Sequence, residues 1–257
     1  MKVLYTIGDS FVYRGPENDS WTGLLCDKLG YVDANNGLSG STNDRILRST
    51  IRDICSVEFK NSLWTEVSGQ IKCELNDLIV IVGWTNPYRF ELYEDGEFIQ
   101  HRDWEKSEWE NGLNPSLHPT LPNKKVTDVI MQDTNVIIKF FNQIISLKNF
   151  LDNKKIPNLF YNSFFPFNEN TNIYFSKIID DLEKNKSKKF HGFDNPNTYL
   201  ELESLWSCIP SDYKQHKQLE VCGMDNLDET KHPNSNGHQK WVSYLNEKIS
   251  NLRPTLQ

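Results

Sequence analysis

Two segments near opposite ends of the chain carry side chains whose types suit nucleophilic acyl transfer. The first is Gly8-Asp9-Ser10, which directly follows an apolar run, Met1 to Ile7, that predicts a buried β-strand. A strand that ends on these residues presents a hydroxyl at the carboxyl edge of a sheet, where open α/β folds bind their ligands. Ser10 is therefore a candidate nucleophile, although Gly, Asp and Ser also form ordinary turns for local hydrogen-bonding reasons.

The second segment, Asp228 to His238, lies just before the last predicted helix and contains His232. Acyl transfer to a hydroxyl needs a base with a pKa near neutral to take the hydroxyl proton, and histidine meets this requirement. Because His232 precedes Pro233, its backbone is held extended at the helix entry. A carboxylate three or four residues earlier, Glu229 or Asp228, can orient the imidazole ring and stabilise its protonated form. A helix-capping loop with a surface histidine is the alternative interpretation.

The same reaction needs hydrogen-bond donors for the negative charge that develops on the carbonyl oxygen. One source is Gly37 to Asn43, a loop of small residues that can bring backbone N–H groups close to a ligand. A second loop, Gly83 to Pro87, follows Leu78 to Val82, whose five consecutive aliphatic residues predict a central strand covered on both faces. We expect this second loop at the same edge of the sheet as Ser10.

Strands alternate with helices along the chain, which predicts an α/β fold with a parallel sheet between helices. The predicted strands are Met1 to Ile7, Tyr31 to Asn36, Leu78 to Val82 and Ile156 to Phe165. The predicted helices are Trp21 to Leu29 with Gly30 closing it, Asp44 to about Ile71, Val129 to Leu151, Ile173 to Lys184 and Asn236 to Leu252. Tyr88 to Asp128 shows no periodicity, and we expect an irregular insertion packed over or beside the site. At 257 residues the chain is taken as one domain, 1–257, with an insertion at about 88–128.

The composition excludes several classes of partner. With 28 basic and 35 acidic residues mixed along the chain, the net charge is −7 and no basic stripe favours nucleic acid. No stretch approaches the roughly 18 to 20 apolar residues that span a bilayer, and the N-terminus lacks the features of a signal peptide. The five cysteines are scattered, which indicates reduced, mostly buried thiols. We expect a soluble protein made in a reducing compartment such as the cytoplasm, with release by lysis or association with a particle left open.

Four segments together resemble the sequence blocks of the SGNH hydrolases, the GDSL-type esterase and lipase superfamily. They occur in the family's order and span nearly the whole chain: Gly8-Asp9-Ser10, Asn36 with Ser39 to Thr42, Gly83 to Asn86, and His232-Pro233-Asn234 with Gly237-His238. The resemblance implies a flavodoxin-like three-layer α/β/α sandwich and a serine hydrolase that acts on carboxylic esters without a cofactor. It also implies that Ser10 attacks the ester carbonyl and that His232 is the general base and later the general acid. The backbone N–H groups of Ser10 and Gly40, with a side-chain amide from the third block, would form the oxyanion hole.

Two positions depart from the family pattern. The third block usually reads Gly-x-Asn-Asp, whereas Thr85 stands at the Asn position here and Asn86 follows one residue later. Asn86 suits an oxyanion, but a shift of one residue in an extended segment turns a side chain to the opposite face, so Thr85 is the alternative donor. The family's acid lies three residues before the His, where this chain has Glu229. Asp228 lies one residue earlier and has the usual residue type, so both carboxylates stay open.

Candidate substrate-binding residues lie beside these blocks. They are Asp9, Trp84 and Arg89, and Trp84 either lines the pocket or fills the sheet edge. Arg89 and the insertion residues Trp104 and Trp109 can contact an acidic or sugar-like substrate, or they pack within the insertion. The remaining histidines lack a Cys or carboxylate partner at ligand spacing, so we predict no metal: His101, His118, His191 and His216.

These features predict a serine esterase that hydrolyses a short-chain or carbohydrate-linked O-acyl ester, such as an O-acetyl ester, through an acyl-enzyme. The Trp-rich insertion and the lack of a long apolar lid favour such small or sugar-linked substrates over long-chain lipids. A non-catalytic SGNH-fold binding or structural module is the alternative, because Asn86 is displaced and the acid is ambiguous. The sequence carries no prediction of the oligomeric state.

Overall fold

The computed structural model describes residues 1–13, 20–87, 89–94, 97–101, 133–163, 202, 204–229 and 232–252. Two predictions lie outside these residues: the helix from Ile173 to Lys184, and the part of the insertion after His101, including Trp104 and Trp109. That residues 1–257 form one domain with an insertion at about 88–128 stays a prediction.

The described elements are strands and helices whose expected alternation is interrupted by two antiparallel hairpins. The strands are β1 Val3–Ile7, β2 Val32–Asn35, β3 Ser62–Thr65, β4 Gly69–Lys72, β5 Leu78–Trp84, β6 Phe90–Glu94, β7 Glu97–His101 and β8 Asn158–Asn162. The helices are α1 Trp21–Leu29, α2 Asn43–Lys60, α3 Asp133–Asn153, α4 Ser211–Gln215, α5 Gln218–Cys222 and α6 Ser235–Leu252. Among the described helices, none combines the length and the apolar character that crossing a membrane requires.

The central sheet is parallel and has the strand order β2-β1-β5-β8. All seven residues of β5, Leu78 to Trp84, are buried, as expected for an aliphatic strand covered on both faces. Because the four strands point the same way, their carboxyl ends meet at one edge of the sheet. The prediction of an α/β fold with a parallel central sheet is confirmed.

Helices cover both faces of this sheet and create two separate cores. On one face, α2 and α3 pack against Val3, Tyr5 and Ile7 of β1. On the other face, α1 and α6 pack against Leu4 and Ile81. Successive side chains of a strand point to opposite faces, which is why neighbouring residues of β1 join different cores. The result is a three-layer arrangement with the sheet in the middle.

The predicted helix from Asp44 to about Ile71 is wrong beyond Lys60. There α2 ends because Asn61 adopts a left-handed backbone conformation with a φ of 50°, which a short polar side chain tolerates. The chain then forms an antiparallel hairpin of β3 and β4, in which Leu63 is buried. Apolar residues at this spacing suit a helix or a strand, and packing against α2 decided between them.

The first part of the expected irregular insertion is also regular. β6 and β7 form an antiparallel hairpin directly after the third sequence block. Its first strand is fastened to α2, because Arg48 makes two hydrogen bonds of 3.1 and 3.0 Å to the Glu91 carboxylate. The Glu91 N–H also donates to Asp44 Oδ2 at 3.1 Å. The hairpin thus starts beside the N-terminal turns of α2.

Candidate active site

Three of the four sequence blocks follow strands of the parallel sheet, so they lie together at its carboxyl edge. Ser10 follows β1, the loop from Asn36 to Thr42 follows β2, and Thr85 and Asn86 follow β5. The strand order β2-β1-β5 puts Ser10 between the other two blocks. A ligand bound over the end of β1 would therefore meet all three, as ligands do in other open α/β folds.

The nucleophile turn begins at a position that requires glycine. A Cβ on Gly8 would collide with the Val12 side chain and would lie 2.8 Å from the Gly83 carbonyl oxygen. The chain turns sharply after Gly8, and the Val12 N–H donates to the Asp9 carbonyl oxygen at 3.0 Å. This turn leaves Ser10 partly exposed at the sheet edge while the Asp9 side chain is buried below it.

The side chains of Ser10 and His232 meet, although the two residues are 222 positions apart. His232 Nε2 lies 2.8 Å from Ser10 Oγ, which is hydrogen-bonding distance. The imidazole stacks on the Phe11 ring, with the ring centroids 4.7 Å apart and the planes at 26°. Phe11 therefore constrains the plane of the His232 imidazole, which would deprotonate the neighbouring Ser10.

Asp228 holds the backbone of the histidine segment. The His232 N–H donates to Asp228 Oδ1 at 3.0 Å, and the Asp228 N–H donates to the His232 carbonyl oxygen at 2.8 Å. Leu227 and Pro233 form an antiparallel bridge across the same turn. Both carboxylates left open by the sequence are exposed, and Asp228 is the one that makes these contacts.

The second block is a tight loop anchored to the nucleophile strand. The Leu38 N–H donates to the Gly8 carbonyl oxygen at 3.1 Å. Gly40 has a φ of 73°, a conformation that glycine adopts without strain. Thr42 ends the loop as the N-cap of α2. The block therefore lies at the N-terminus of an 18-residue helix, whose dipole favours negative charge nearby.

A buried arginine, which sequence analysis missed, supports this loop. Arg45 is 2% exposed. Its guanidinium donates to the backbone and side-chain oxygens of Asn36 at 3.2 and 3.0 Å and to Ser41 Oγ at 3.2 Å. It also forms an ion pair with Glu66, which lies between β3 and β4. Both ends of the second block are thus tied to one buried charge.

The Asn36 side chain extends this network to a buried acid, Asp53. Asn36 Nδ2 donates to Asp53 Oδ2 at 2.9 Å, and the Tyr5 hydroxyl donates to the same oxygen at 3.0 Å. Burial raises the pKa of Asp53 to about 6, and the opposing effect of Arg52 is smaller. Burial likewise raises the pKa of the Tyr5 hydroxyl. Asp53 therefore changes its charge in the weakly acidic range.

Thr85 and Asn86, the two candidates for the third oxyanion donor, have different surroundings. The Thr85 hydroxyl donates to Asp9 Oδ2 at 2.6 Å and accepts from Arg89 Nη1 at 2.9 Å. Its single proton is therefore directed below the nucleophile turn. Asn86 is buried and lies two residues beyond Trp84, the last residue of β5. Because side chains alternate in direction only within a strand, the one-residue shift does not determine where the Asn86 amide points.

The three substrate-binding candidates are buried. Asp9 is 0% exposed and Arg89 is 8% exposed, and Arg89 Nη1 forms an ion pair with Asp9 Oδ2 at 3.1 Å. The Trp84 ring packs edge-on against Phe140 and Phe160 in the core. The structure thus puts Trp84 in the second of its two expected roles, as a residue that fills the sheet edge. Asp9 and Arg89 contact each other beneath Ser10.

Three consecutive residues at the start of α2 fasten three different segments around the site. Asn43 contacts the third block, Asp44 contacts the β6–β7 hairpin, and Arg45 contacts the second block. The sequence signal for these roles is weak, because polar residues in the first turn of a helix are ordinary capping residues. Their position directly after a candidate oxyanion loop is what could have drawn attention to them.

Within the described ranges, no group of three or more His, Cys, Asp or Glu side chains is arranged to hold a metal ion. His216 has its Nδ1 2.5 Å from the Tyr244 hydroxyl, and burial lowers the pKa of its imidazole. His118 and His191 lie outside the described residues.

A protein-family model, described as a family of unknown function (DUF6071), matches residues 8–199 of the chain. No curated protein matches the chain in sequence. Similar solved structures include a G-D-S-L family protein, described as lipolytic, from Desulfitobacterium hafniense DCB-2. It is 12% identical with a TM-score of 0.44, and the alignment covers 96% of this chain and 99% of that protein.

Two carbohydrate esterases are also similar to the chain, which spans about two thirds of their length. One is described as having an active site with divergent catalytic and non-catalytic binding functions. It is 11% identical with a TM-score of 0.44, and the alignment covers 97% of this chain and 65% of that protein. The other is an acetyl xylan esterase from the rumen bacterium Butyrivibrio proteoclasticus, 12% identical with a TM-score of 0.45, covering 99% and 64%.

Proposed function

The chain belongs to this family of unknown function, and from the geometry of its site we propose that it is a serine esterase that hydrolyses acyl esters through an acyl-enzyme. The observation that carries the proposal is the distance of 2.8 Å between Ser10 Oγ and His232 Nε2. A serine hydroxyl is a weak nucleophile until a base accepts its proton, and a neutral imidazole at hydrogen-bonding distance is such a base. The two side chains meet at the carboxyl edge of a parallel sheet, and this edge is where open α/β folds bind their ligands.

In the first half of the reaction, Ser10 Oγ attacks the ester carbonyl carbon while His232 Nε2 takes the hydroxyl proton. The carbonyl π electrons move to the oxygen, which becomes the oxyanion of a tetrahedral intermediate. As this intermediate collapses, the bond to the leaving alkoxide breaks and His232 returns its proton to the alkoxide oxygen. The products of this half are an alcohol and an acyl group on Ser10.

In the second half, water takes the place of the alcohol. His232 accepts a proton from the water as its oxygen attacks the acyl carbon. The second tetrahedral intermediate then expels Ser10 Oγ, which regains the proton from His232. The acyl group leaves as a carboxylic acid, and the site returns to its starting state.

The oxyanion is stabilised by the N–H groups of Ser10 and Gly40 and by the Asn86 side-chain amide. We choose Asn86 over Thr85 because the Thr85 hydroxyl proton is directed to Asp9. The position of the second block at the N-terminus of α2 adds a favourable electrostatic field for negative charge. Asp228 is the carboxylate that we assign to position His232, since its side chain and its N–H both bind the histidine backbone.

For the substrate we propose the class predicted from the sequence, a short-chain or carbohydrate-linked O-acyl ester. Its basis includes Trp104 and Trp109, which lie outside the described residues. Comparing p-nitrophenyl acetate, butyrate and decanoate with an O-acetylated oligosaccharide tests this proposal. Faster turnover of the acetyl esters is expected, and a preference for decanoate would contradict it.

The experiment that tests the reaction is covalent labelling with a fluorophosphonate probe, combined with hydrolysis of p-nitrophenyl acetate. The wild type should be labelled at Ser10 and should release p-nitrophenol above the buffer rate. Ser10→Ala and His232→Ala should each abolish both signals, whereas Ser243→Ala, at an exposed position of α6, should change neither.

Two results would overturn the proposal. Hydrolysis that survives in Ser10→Ala would remove the serine from the mechanism. A folded wild type that is neither labelled nor active would leave the non-catalytic binding or structural module as the function.

A further inference from the structure

The side chain of Asn43 pairs with the backbone of the third block. Asn43 Oδ1 accepts from the Thr85 N–H at 3.0 Å, and Asn43 Nδ2 donates to the Thr85 carbonyl oxygen at 3.1 Å. Nδ2 also donates to the Asn86 carbonyl oxygen at 3.3 Å. Asn43 is 1% exposed, so these bonds form away from water. One amide thus binds both backbone polar groups of Thr85 and reaches the next residue.

These contacts occur where the sheet no longer supports the chain. The pairing between β1 and β5 ends at Ile7 and Val82, because β1 then turns into the nucleophile segment. Thr85 lies three residues beyond that point, and buried backbone groups there still need hydrogen-bond partners. The Asn43 amide has one donor arm and one acceptor arm, so it supplies the pair of bonds that a neighbouring strand would supply.

The same contacts constrain the orientation of Asn86. Its carbonyl oxygen accepts from Asn43 Nδ2 and also from the Arg89 N–H at 3.2 Å, which closes a four-residue turn. Pro87 occupies the second position of this turn, where its restricted φ is favoured. With the Thr85–Asn86 peptide held on one side and the turn closed on the other, the Cα–Cβ bond of Asn86 has a defined direction.

We propose that Asn43 is a positioning residue for the oxyanion hole: it holds the Thr85–Asn86 backbone so that the displaced Asn86 can serve as the third donor. The inference rests on the proposed esterase function. It explains how an asparagine one residue beyond the family's position can still donate to the oxyanion. Asn43 itself does not touch the substrate. Its effect on the rate should therefore pass through Asn86.

A double-mutant cycle tests this dependence. Asn43→Ala is expected to lower kcat for p-nitrophenyl acetate by about 10-fold to 100-fold, with KM changed by less than about 3-fold, as for an interaction made in the transition state. In an Asn86→Ala background the same substitution should lower kcat by less than about 3-fold, because the donor that it positions is already absent. Equal effects in both backgrounds would make Asn43 a purely structural residue and overturn the proposal.

Asn43→Asp is a near-isosteric second variant. It keeps an acceptor for the Thr85 N–H but replaces the donor to the two carbonyl oxygens with a carboxylate oxygen. Its kcat should fall at least as far as that of Asn43→Ala. Ser56→Ala is the control in the same helix, since the Ser56 hydroxyl donates to the Arg52 carbonyl oxygen within α2 itself. Its kcat should stay within about 3-fold of wild type.

A readout without catalysis separates this inference from the proposed function. In NMR spectra, the Asn86 side-chain amide signal can be identified by its loss in Asn86→Ala. That signal should shift in Asn43→Ala, and hydrogen exchange of the Thr85 N–H should accelerate, whether or not the protein hydrolyses an ester. An inactive wild type would contradict the esterase alone, whereas an unchanged Asn86 signal with unchanged Thr85 exchange would contradict the role of Asn43.

Discussion

Arg89 Nη1 lies 3.1 Å from Asp9 Oδ2, and both charged side chains are buried beneath the candidate nucleophile. Asp9 Oδ1 accepts from the Phe11 N–H at 3.1 Å, so the same carboxylate also braces the turn on the far side of Ser10. Thr85 completes the cluster through its hydrogen bond to Asp9. The ion pair therefore links the nucleophile turn to the segment that follows the third block.

Removing the cation of this pair should be costly. Arg89→Met leaves Asp9 buried without its counter-charge, and we expect the free energy of unfolding to fall by about 3 to 5 kcal/mol. Urea denaturation followed by tryptophan fluorescence measures the change. Lys154→Met is the control, because it breaks a partly exposed ion pair with Glu58 and should cost less than about 1 kcal/mol.

The double variant Asp9→Asn with Arg89→Met checks the cause. It removes both charges, so it should be more stable than Arg89→Met alone. If the double variant is the less stable of the two, the unpaired Asp9 charge is not the origin of the loss.

Gly83 makes room for a neighbouring side chain of the sheet. A Cβ at this position would lie 2.5 Å from the Tyr161 hydroxyl and 2.7 Å from Ser163 Oγ. We expect Gly83→Ala to destabilise the protein by about 1 to 3 kcal/mol through overpacking. Tyr161→Phe removes the nearest of these atoms but keeps the ring Cζ, which would lie 2.7 Å from the added Cβ. In that background the cost should fall by at least about 0.5 kcal/mol without disappearing. Thermal or urea unfolding of the four proteins provides the comparison, and identical costs in both backgrounds would exclude the hydroxyl as the obstacle.

The buried Asp53 carboxyl should make stability depend on pH. Its pKa is raised from 3.8 to about 6 in the folded protein, so between these values the folded state binds more protons than the unfolded state. The contribution of Asp53 to the free energy of unfolding is therefore fully present below about pH 4 and is lost as the pH rises through about 6. A shift of about two pH units corresponds to a loss of the order of 3 kcal/mol.

Urea denaturation at several values between about pH 4 and pH 7.5 tests this sign, with Asp53→Asn as the reference. The unfolding free energy of the wild type minus that of the variant should fall as the pH rises and should level off near neutral pH. A difference that rises with pH would show that the pKa of Asp53 is lowered rather than raised.

The two carboxylates before His232 should differ in their effect on catalysis. Asp228→Ala removes the acceptor of the His232 N–H, and we expect kcat/KM for p-nitrophenyl acetate to fall by about 10-fold or more. Glu229→Ala leaves the contact between Asp228 and the His232 backbone in place, so kcat/KM should stay within about 3-fold of wild type. The opposite ranking would identify Glu229 as the supporting acid.

The local sequence was sufficient for the elements that carry the site. The run Leu78 to Val82 is aliphatic without interruption, so it predicts a central strand, and Gly30 ends α1 in the left-handed conformation that glycine favours. Alternating strands and helices predict the parallel sheet, and a parallel sheet brings the residues after its strands to one edge. These are properties of neighbouring residues, which is why they can be inferred without a structure.

Tertiary packing decided the rest. The segment after Lys60 has apolar residues that suit either a helix or a strand, and it became a hairpin against α2. The burial of Arg89 against Asp9, and the reach of Asn43 to Thr85, depend on groups 80 and 42 positions apart in the chain. Local residue types carry no information about such distances, because a buried charge or amide is acceptable only where the fold supplies its partner.

The sequence by itself therefore determined the fold class, the order of the four blocks and the candidates Ser10 and His232. Only the tertiary structure decided that these two side chains meet, that Asp228 holds the histidine backbone, and that Thr85 donates to Asp9. The physical reason is that residue types and spacing specify local conformation, whereas hydrogen-bond partners across the sheet edge are chosen when the layers pack together.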